Sequence, residues 1–299
     1  MKVSKVFAAA ALIAGLAANT AHAAGTCPID EPVRFGVEPY ESAQRLIPVY
    51  GDIAKLIGDK LGCKVELFVA TNYTAEIEAM RHDKLEFGEF GPLGYVLAHQ
   101  VAHADAVAAF SDENGKPASY FASIVTWPGS GLKTIADTKG HSFAYSDPSS
   151  TSGHLFPAFG LSKNGVDPDH GVTAIYAGSH TATFEALRNH KVQAGELNSE
   201  EIGTAKDHGE YDPNAYVTLW KSDPIPLDPI AVRGDLPADF KARLTKVLSS
   251  LDLHELPAAD QKFLASNQGP ALKTVAQTDA AYNQIRDLVK TLHIDLSKL

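Results

Sequence analysis

Two α/β lobes joined by two chain crossings are the fold this sequence predicts. Three observations carry it. Short apolar strands alternate with amphipathic helices in two successive blocks. An apolar strand, residues 120–127, leads out of the first block. A proline-rich segment, KSDPIPLDPIAVR at 221–233, leads back into it. A hinged pair of doubly wound sheets binds its ligand in the cleft at the strand ends.

In the first block, residues 33–37 read as a strand. A helix follows, marked by Leu46, Tyr50, Ile53, Ile57 and Leu61 at helical spacing. Residues 65–69 are a strand, 75–81 a short helix, 85–87 a strand, 93–101 a helix and 107–110 a strand. Together they imply a mostly parallel sheet with helices on both faces. Residues 112–117 form a polar turn. In the second block, strands at 142–145, 172–176, 192–196 and 217–220 alternate with helices at 151–163, 181–189 and 199–207. Residues 230–233 resume the first lobe, and helices at 238–251, 258–265 and 280–292 complete it. The lobe boundaries follow as 24–124 with 226–299, and 125–225.

The chain has 299 residues, 26 basic and 36 acidic, for a formal charge of −10. Lys2 and Lys5 precede an apolar run at 6–18 that is too short to span a bilayer, and Ala21-His22-Ala23 supplies a small-residue cleavage site. This pattern predicts a secretory signal peptide over residues 1–23 and a soluble protein exported to the periplasm. The acidic balance argues against nucleic-acid partners and anionic membrane surfaces, which need basic patches. Cys27 and Cys63 are the only cysteines. Export permits one disulfide between them, but two cysteines leave paired and free states both open.

The chemistry concentrates in SDPSSTSGHLFP, residues 146–157. A strand, this turn and a helix place a helix N-terminus at the cleft, where unpaired N–H groups and the helix dipole favour an anion. Ser149 or Ser150 suits the N-cap. Thr151, Ser152 and Gly153 then fill the first turn without an acid, leaving the positive end free for a tetrahedral oxyanion. Gly153 is expected to let a ligand approach the backbone, and Pro157 to interrupt the helix about one turn on.

DPSSTSGHLFP, AGSH at 177–180 and KSDPIPLDPIAVR, in that order, resemble the phosphonate- and phosphite-binding proteins of bacterial ABC importers. The likeness runs from about Val33 to Leu251. It implies a periplasmic binding fold of the second topological type, working as a monomer that delivers a phosphorus oxyanion to a membrane permease, with no cofactor. Matched by motif, Ser150, Thr151 and Ser152 would grip the phosphonate oxygens and His180 would add a donor. Tyr73 would reach from the opposite lobe. Asp228 and Glu200 would take a ligand proton or ammonium. Phe90, in FGEFGP, stands where such proteins carry a ligand-contacting tyrosine, so one hydroxyl is missing there or comes from elsewhere. A zwitterion satisfies both ends, which points to 2-aminoethylphosphonate, with phosphite or a simple alkylphosphonate as the alternative.

Two other classes find weaker support. Ser130 and Lys133 match a Ser-x-x-Lys pattern, but its Ser-Asp-Asn and Lys-Thr-Gly partners are absent, so no catalytic residue is assigned. His99 and His103 are four apart on a helix, a spacing that can hold zinc, yet no carboxylate completes a zinc motif. A sensor subunit presenting a bound oxyanion to a membrane receptor would use the same fold.

Overall fold

The computed structural model describes residues 27–296; the expected signal peptide and its cleavage site lie outside them. The first lobe opens with β1 (Val33–Val37), α1 (Ala43–Leu61), β2 (Val65–Val69), α2 (Tyr73–Arg81), β3 (Phe87–Glu89), α3 (Pro92–Ala102) and β4 (Asp105–Phe110). The five apolar positions expected on α1 are all buried against the sheet. The chain then crosses through β5 (Ser119–Tyr120) into β6 (Ser123–Thr126), β7 (Ser142–Tyr145) and, past a single π-helical turn at Thr151–Leu155, α4 (Phe156–Lys163). Next come β8 (Thr173–Tyr176), α5 (His180–Arg188), β9 (Ala194–Glu196), α6 (Ser199–Asp207) and β10 (Val217–Lys221). The return passes through β11 (Ile225–Pro226) to β12 (Pro229–Val232), α7 (Ala238–Leu248), α8 (Ala258–Asn267), β13 (Thr274–Ala276) and α9 (Asn283–Thr291).

The first sheet has the order β13-β4-β12-β3-β1-β2 and the second β10-β6-β9-β7-β8, while β5 and β11 pair as a separate ribbon where the two crossings meet. The apolar stretch expected as one strand over 120–127 is therefore two strands in two sheets. β6 begins at Ser123, so it straddles the expected 124/125 boundary. In the first sheet β12 runs antiparallel between β3 and β4. Its starting end consequently lies beside the finishing ends of β1 and β3, and Asp228, just before β12, lands next to the residues that follow those strands. β13 was not expected: three residues between Lys273 and Gln277 give no periodic signal, and antiparallel pairing with β4 at the sheet edge makes them a strand.

One large core fills the first lobe. In the second lobe the sheet is sandwiched: Ile124, Phe143 and Tyr145 face one cluster, while Val125 and Ala144 face the other. This is the two-residue alternation of a strand buried on both sides. Cys27 and Cys63 form a disulfide with Cα atoms 5.0 Å apart. It ties the segment before β1 to the turn after α1.

Candidate site between the lobes

The ends of β7, β8 and β9 all lead into helix starts capped by neutral side chains. Ser150 Oγ accepts from Gly153 N at 3.1 Å, Ser179 Oγ from Ala182 N at 3.1 Å, and Asn198 Oδ1 from Glu201 N at 2.7 Å. Pro157 does not break the helix after the first of these. It cannot bond the carbonyl of Gly153, one turn back, and Ser146 N takes that carbonyl instead at 3.1 Å. The first turn widens to π geometry, with Leu155 N bonding Ser150 O and Phe156 N bonding Thr151 O.

Gly153 has a different reason from the one expected. A Cβ there would fall 1.6 Å from Ser146 Oγ, so the protein's own serine fills the space rather than a ligand.

Ser150, Thr151, Ser152, Tyr73, His180, Glu200 and Asp228 line one small cavity between the lobes. The first five are nearly inaccessible to solvent, and Asp228 and Glu200 are half-buried. Phe90 does not line this cavity; its ring is fully buried in the first-lobe core. A larger, half-open cavity adjoins the small one and shares Tyr120, Glu200 and Gln268 with it.

The cavity wall carries both hydroxyls and acids. The hydroxyl cluster stands with His180, whose Nδ1 is 2.9 Å from Glu196 Oε1 and whose Nε2 faces Ser150 Oγ at 3.4 Å. Burial disfavours the imidazolium, but Glu196, with Glu201 and Asp228, outweighs it and raises the His180 pKa. Burial pushes Asp228 up to about 7 despite the pull of His180, and one amide, Asn198 Nδ2, donates both to Ser152 Oγ at 3.1 Å and to Glu200 Oε2 at 3.4 Å. Burial, with Asp228 and Glu89 beside it, raises Glu200 too. Glu200 Oε1 and Asp228 Oδ1 are buried without a hydrogen-bond partner among the described residues.

Glu38, Tyr40, Gly91, Tyr120 and Gln268 also line the cavity, and none of them stood out in the sequence. Tyr120 lines the same cavity as Ser152 and Thr151, which brings a phenol on the crossing strand to the site where Phe90 has none. Glu38 Oε2 accepts from Gly91 N at 2.8 Å, placing a carboxyl at the N-terminus of α3. Burial, then Glu76 and Asp228, holds Glu38 well above the usual carboxylate range. The only signal available for Glu38 was an acid directly after a buried strand.

The lobes meet around the site. Leu93 N donates to Thr151 Oγ1 at 2.8 Å, His180 N donates to Tyr40 O at 3.2 Å, and the hydroxyls of Thr74 and Ser149 meet at 3.3 Å. Near the rim Thr204 Oγ1 donates to Asn267 Oδ1 at 2.8 Å. His99 and His103 do not form a metal pair: His99 Nδ1 meets Ala104 O at 2.7 Å, and His103 is the left-handed cap of α3. Among the described residues, the one group with metal-ligand spacing is Cys27, Glu31 and Cys63, whose thiols form the disulfide.

Two sheets, two crossings and a polar cavity at their strand ends define a two-lobed binding protein of the second periplasmic type. The chain belongs to the family of periplasmic substrate-binding proteins of phosphonate ABC transporters, whose model matches residues 35–282. It is a transport-protein family, not an enzyme family.

The phosphate-import protein PhnD of Mycolicibacterium smegmatis is 26% identical over 271 residues, covering 86% of this chain and 84% of that one. The phosphonates-binding periplasmic protein of Escherichia coli K12 is 28% identical over 220 residues, 72% of this chain and 64% of that one. A solved binding-protein component of an ABC phosphonate transporter from Pseudomonas aeruginosa superposes with a TM-score of 0.76 at 27% identity. It covers 88% of this chain and 87% of that one.

Proposed function

We propose that the protein captures a zwitterionic aminophosphonate, with 2-aminoethylphosphonate the best fit. It then hands the ligand to the permease of its ABC transporter, working in the periplasm as a monomer after its signal peptide is removed. The carrying observation is the makeup of the cavity wall. Three hydroxyls, the tip of a helix and His180 share the cavity with two carboxyls, Asp228 and Glu200, each of which has a buried oxygen without a partner among the described residues. A phosphonate fits the first set of groups and an ammonium the second. A ligand lacking the ammonium would leave the buried acids unpaired or force them to stay protonated. Both lobes of one chain supply every lining residue, so a second copy is not needed.

A second reading is supported by Asp228, which holds a proton near neutrality. It could then face a simple phosphonate or phosphate oxygen, and the mycobacterial relative is named for phosphate import. Calorimetry with 2-aminoethylphosphonate, ethylphosphonate, phosphite and phosphate decides. Tighter binding of the aminated compound supports the first reading; equal or weaker binding removes it.

A further inference from the structure

Gln268 caps the C-terminus of α8, is 2% exposed and lines the cavity together with Glu200 and Asp228. Its amide has a defined orientation. Nε2 donates to Glu89 Oε1 at 2.9 Å and to Tyr50 Oη at 3.2 Å, two groups that lie behind the cavity wall. A flipped amide would give up both of these donations. Oε1 is therefore the end left for the cavity, and it is buried without a partner among the described residues.

The same is true of Glu200 Oε1 and Asp228 Oδ1. Glu38 Oε1 is unpaired as well but lies against Gly94 of α3, and the other three unsatisfied acceptors of the lining are two carboxylate oxygens and one amide oxygen. Buried acceptors left unpaired are costly, so a set of this kind marks where ligand donors belong.

We propose that Gln268 is the third acceptor for the ligand's nitrogen, so that the site reads a primary ammonium by its three N–H groups and discriminates against N-methylated aminophosphonates. The inference rests on the aminophosphonate reading and goes beyond it by naming the substitution state of the nitrogen. Glu200 and Asp228 answer to charge, which methylation leaves intact. Gln268 carries no charge and answers only to the N–H, so it is the residue that separates the two. Each methyl group replaces a donor and strands one buried acceptor.

The test is calorimetry of the wild-type protein with 2-aminoethylphosphonate, its N-methyl and N,N,N-trimethyl derivatives, and ethylphosphonate, repeated on Gln268→Met. In the wild type the first methyl group is expected to weaken binding about tenfold, about 1.4 kcal/mol, and the trimethyl compound to bind weaker still. In Gln268→Met the ratio between the primary and N-methyl ligands should collapse towards one. Equal wild-type affinity for the primary and N-methyl compounds overturns the inference, as does an unchanged ratio in the variant. Both results leave the amine subsite standing if 2-aminoethylphosphonate still outbinds ethylphosphonate. Should it not, the aminophosphonate reading fails and this inference with it. The wild-type series decides even if the variant does not fold.

Discussion

His180 Nδ1 sits 2.9 Å from Glu196 Oε1, both side chains almost completely buried, and this pairing favours the imidazolium form of His180 beside the hydroxyl cluster. Glu196 closes β9 and His180 opens α5, so the second sheet itself sets the imidazole's orientation. With Nδ1 held by the carboxylate, Nε2 is the nitrogen turned to the hydroxyl cluster.

Glu196→Gln keeps an acceptor for Nδ1 but removes the charge that offsets burial. The His180 pKa should fall, and NMR titration of its ring protons reads that directly. Phosphonate affinity at pH 7 is expected to drop roughly tenfold, about 1.4 kcal/mol. An unmoved titration curve would refute the role given to the pair.

Ser152→Ala removes a hydroxyl that accepts from Asn198 Nδ2 at 3.1 Å. If Ser152 binds the ligand as proposed, a lost hydrogen bond to a charged oxyanion costs about 1.5–3 kcal/mol. Calorimetry should therefore show Kd rising by one to two orders of magnitude, and an unchanged Kd would take Ser152 out of the site.

The acid cluster makes stability and binding respond to pH with defined signs. Burial raises Glu89 to about 8 and Asp228 to about 7, both far above ordinary carboxylates. Groups raised on folding contribute stability that is complete below their unfolded values and is lost as pH climbs through the folded ones. The ligand-free protein should therefore melt at a lower temperature at pH 8.5 than at pH 5.5. Saturating 2-aminoethylphosphonate should narrow that gap, because its ammonium favours the ionised acids. Its affinity should accordingly rise with pH through about 7 as Asp228 deprotonates. Melting curves that do not depend on pH would contradict this account.

Gly203, on α6, meets the end of α8 across the rim: a Cβ there would lie 2.5 Å from Ser266 O. A backbone carbonyl cannot swing aside, so Gly203→Ala should hold the lobes apart. Alanine is also the better helix former by about 1 kcal/mol, so α6 itself gains. The expected result is weaker ligand binding with no loss of melting temperature, and a larger solution-scattering radius for the ligand-saturated variant than for wild type. Wild-type affinity and radius would show that the rim contact is not part of closure.

Much of the architecture is written in local pattern. The stripe from Leu46 to Leu61 and the strands at 33–37, 65–69 and 142–145 are buried or paired as their periodicity requires. The hydroxyl run at 150–152 is legible as a capped helix start that lines the cavity, because a helix start depends on neighbours within one turn. Other features needed the assembled molecule. Phe90 reads as a site residue from its motif, yet β3 turns its ring into the core. Tyr120 reads as part of a plain apolar strand, yet the crossing brings it to the cavity that Ser152 lines. Glu38 and Gln268 lie 230 positions apart in the chain and share one cavity only because β12 threads back between β3 and β4. Helical and strand periods record which face of an element is apolar, a short-range property. Which elements then stand side by side depends on how the sheets are ordered, and the carboxyl pKa values depend on the burial that this ordering creates.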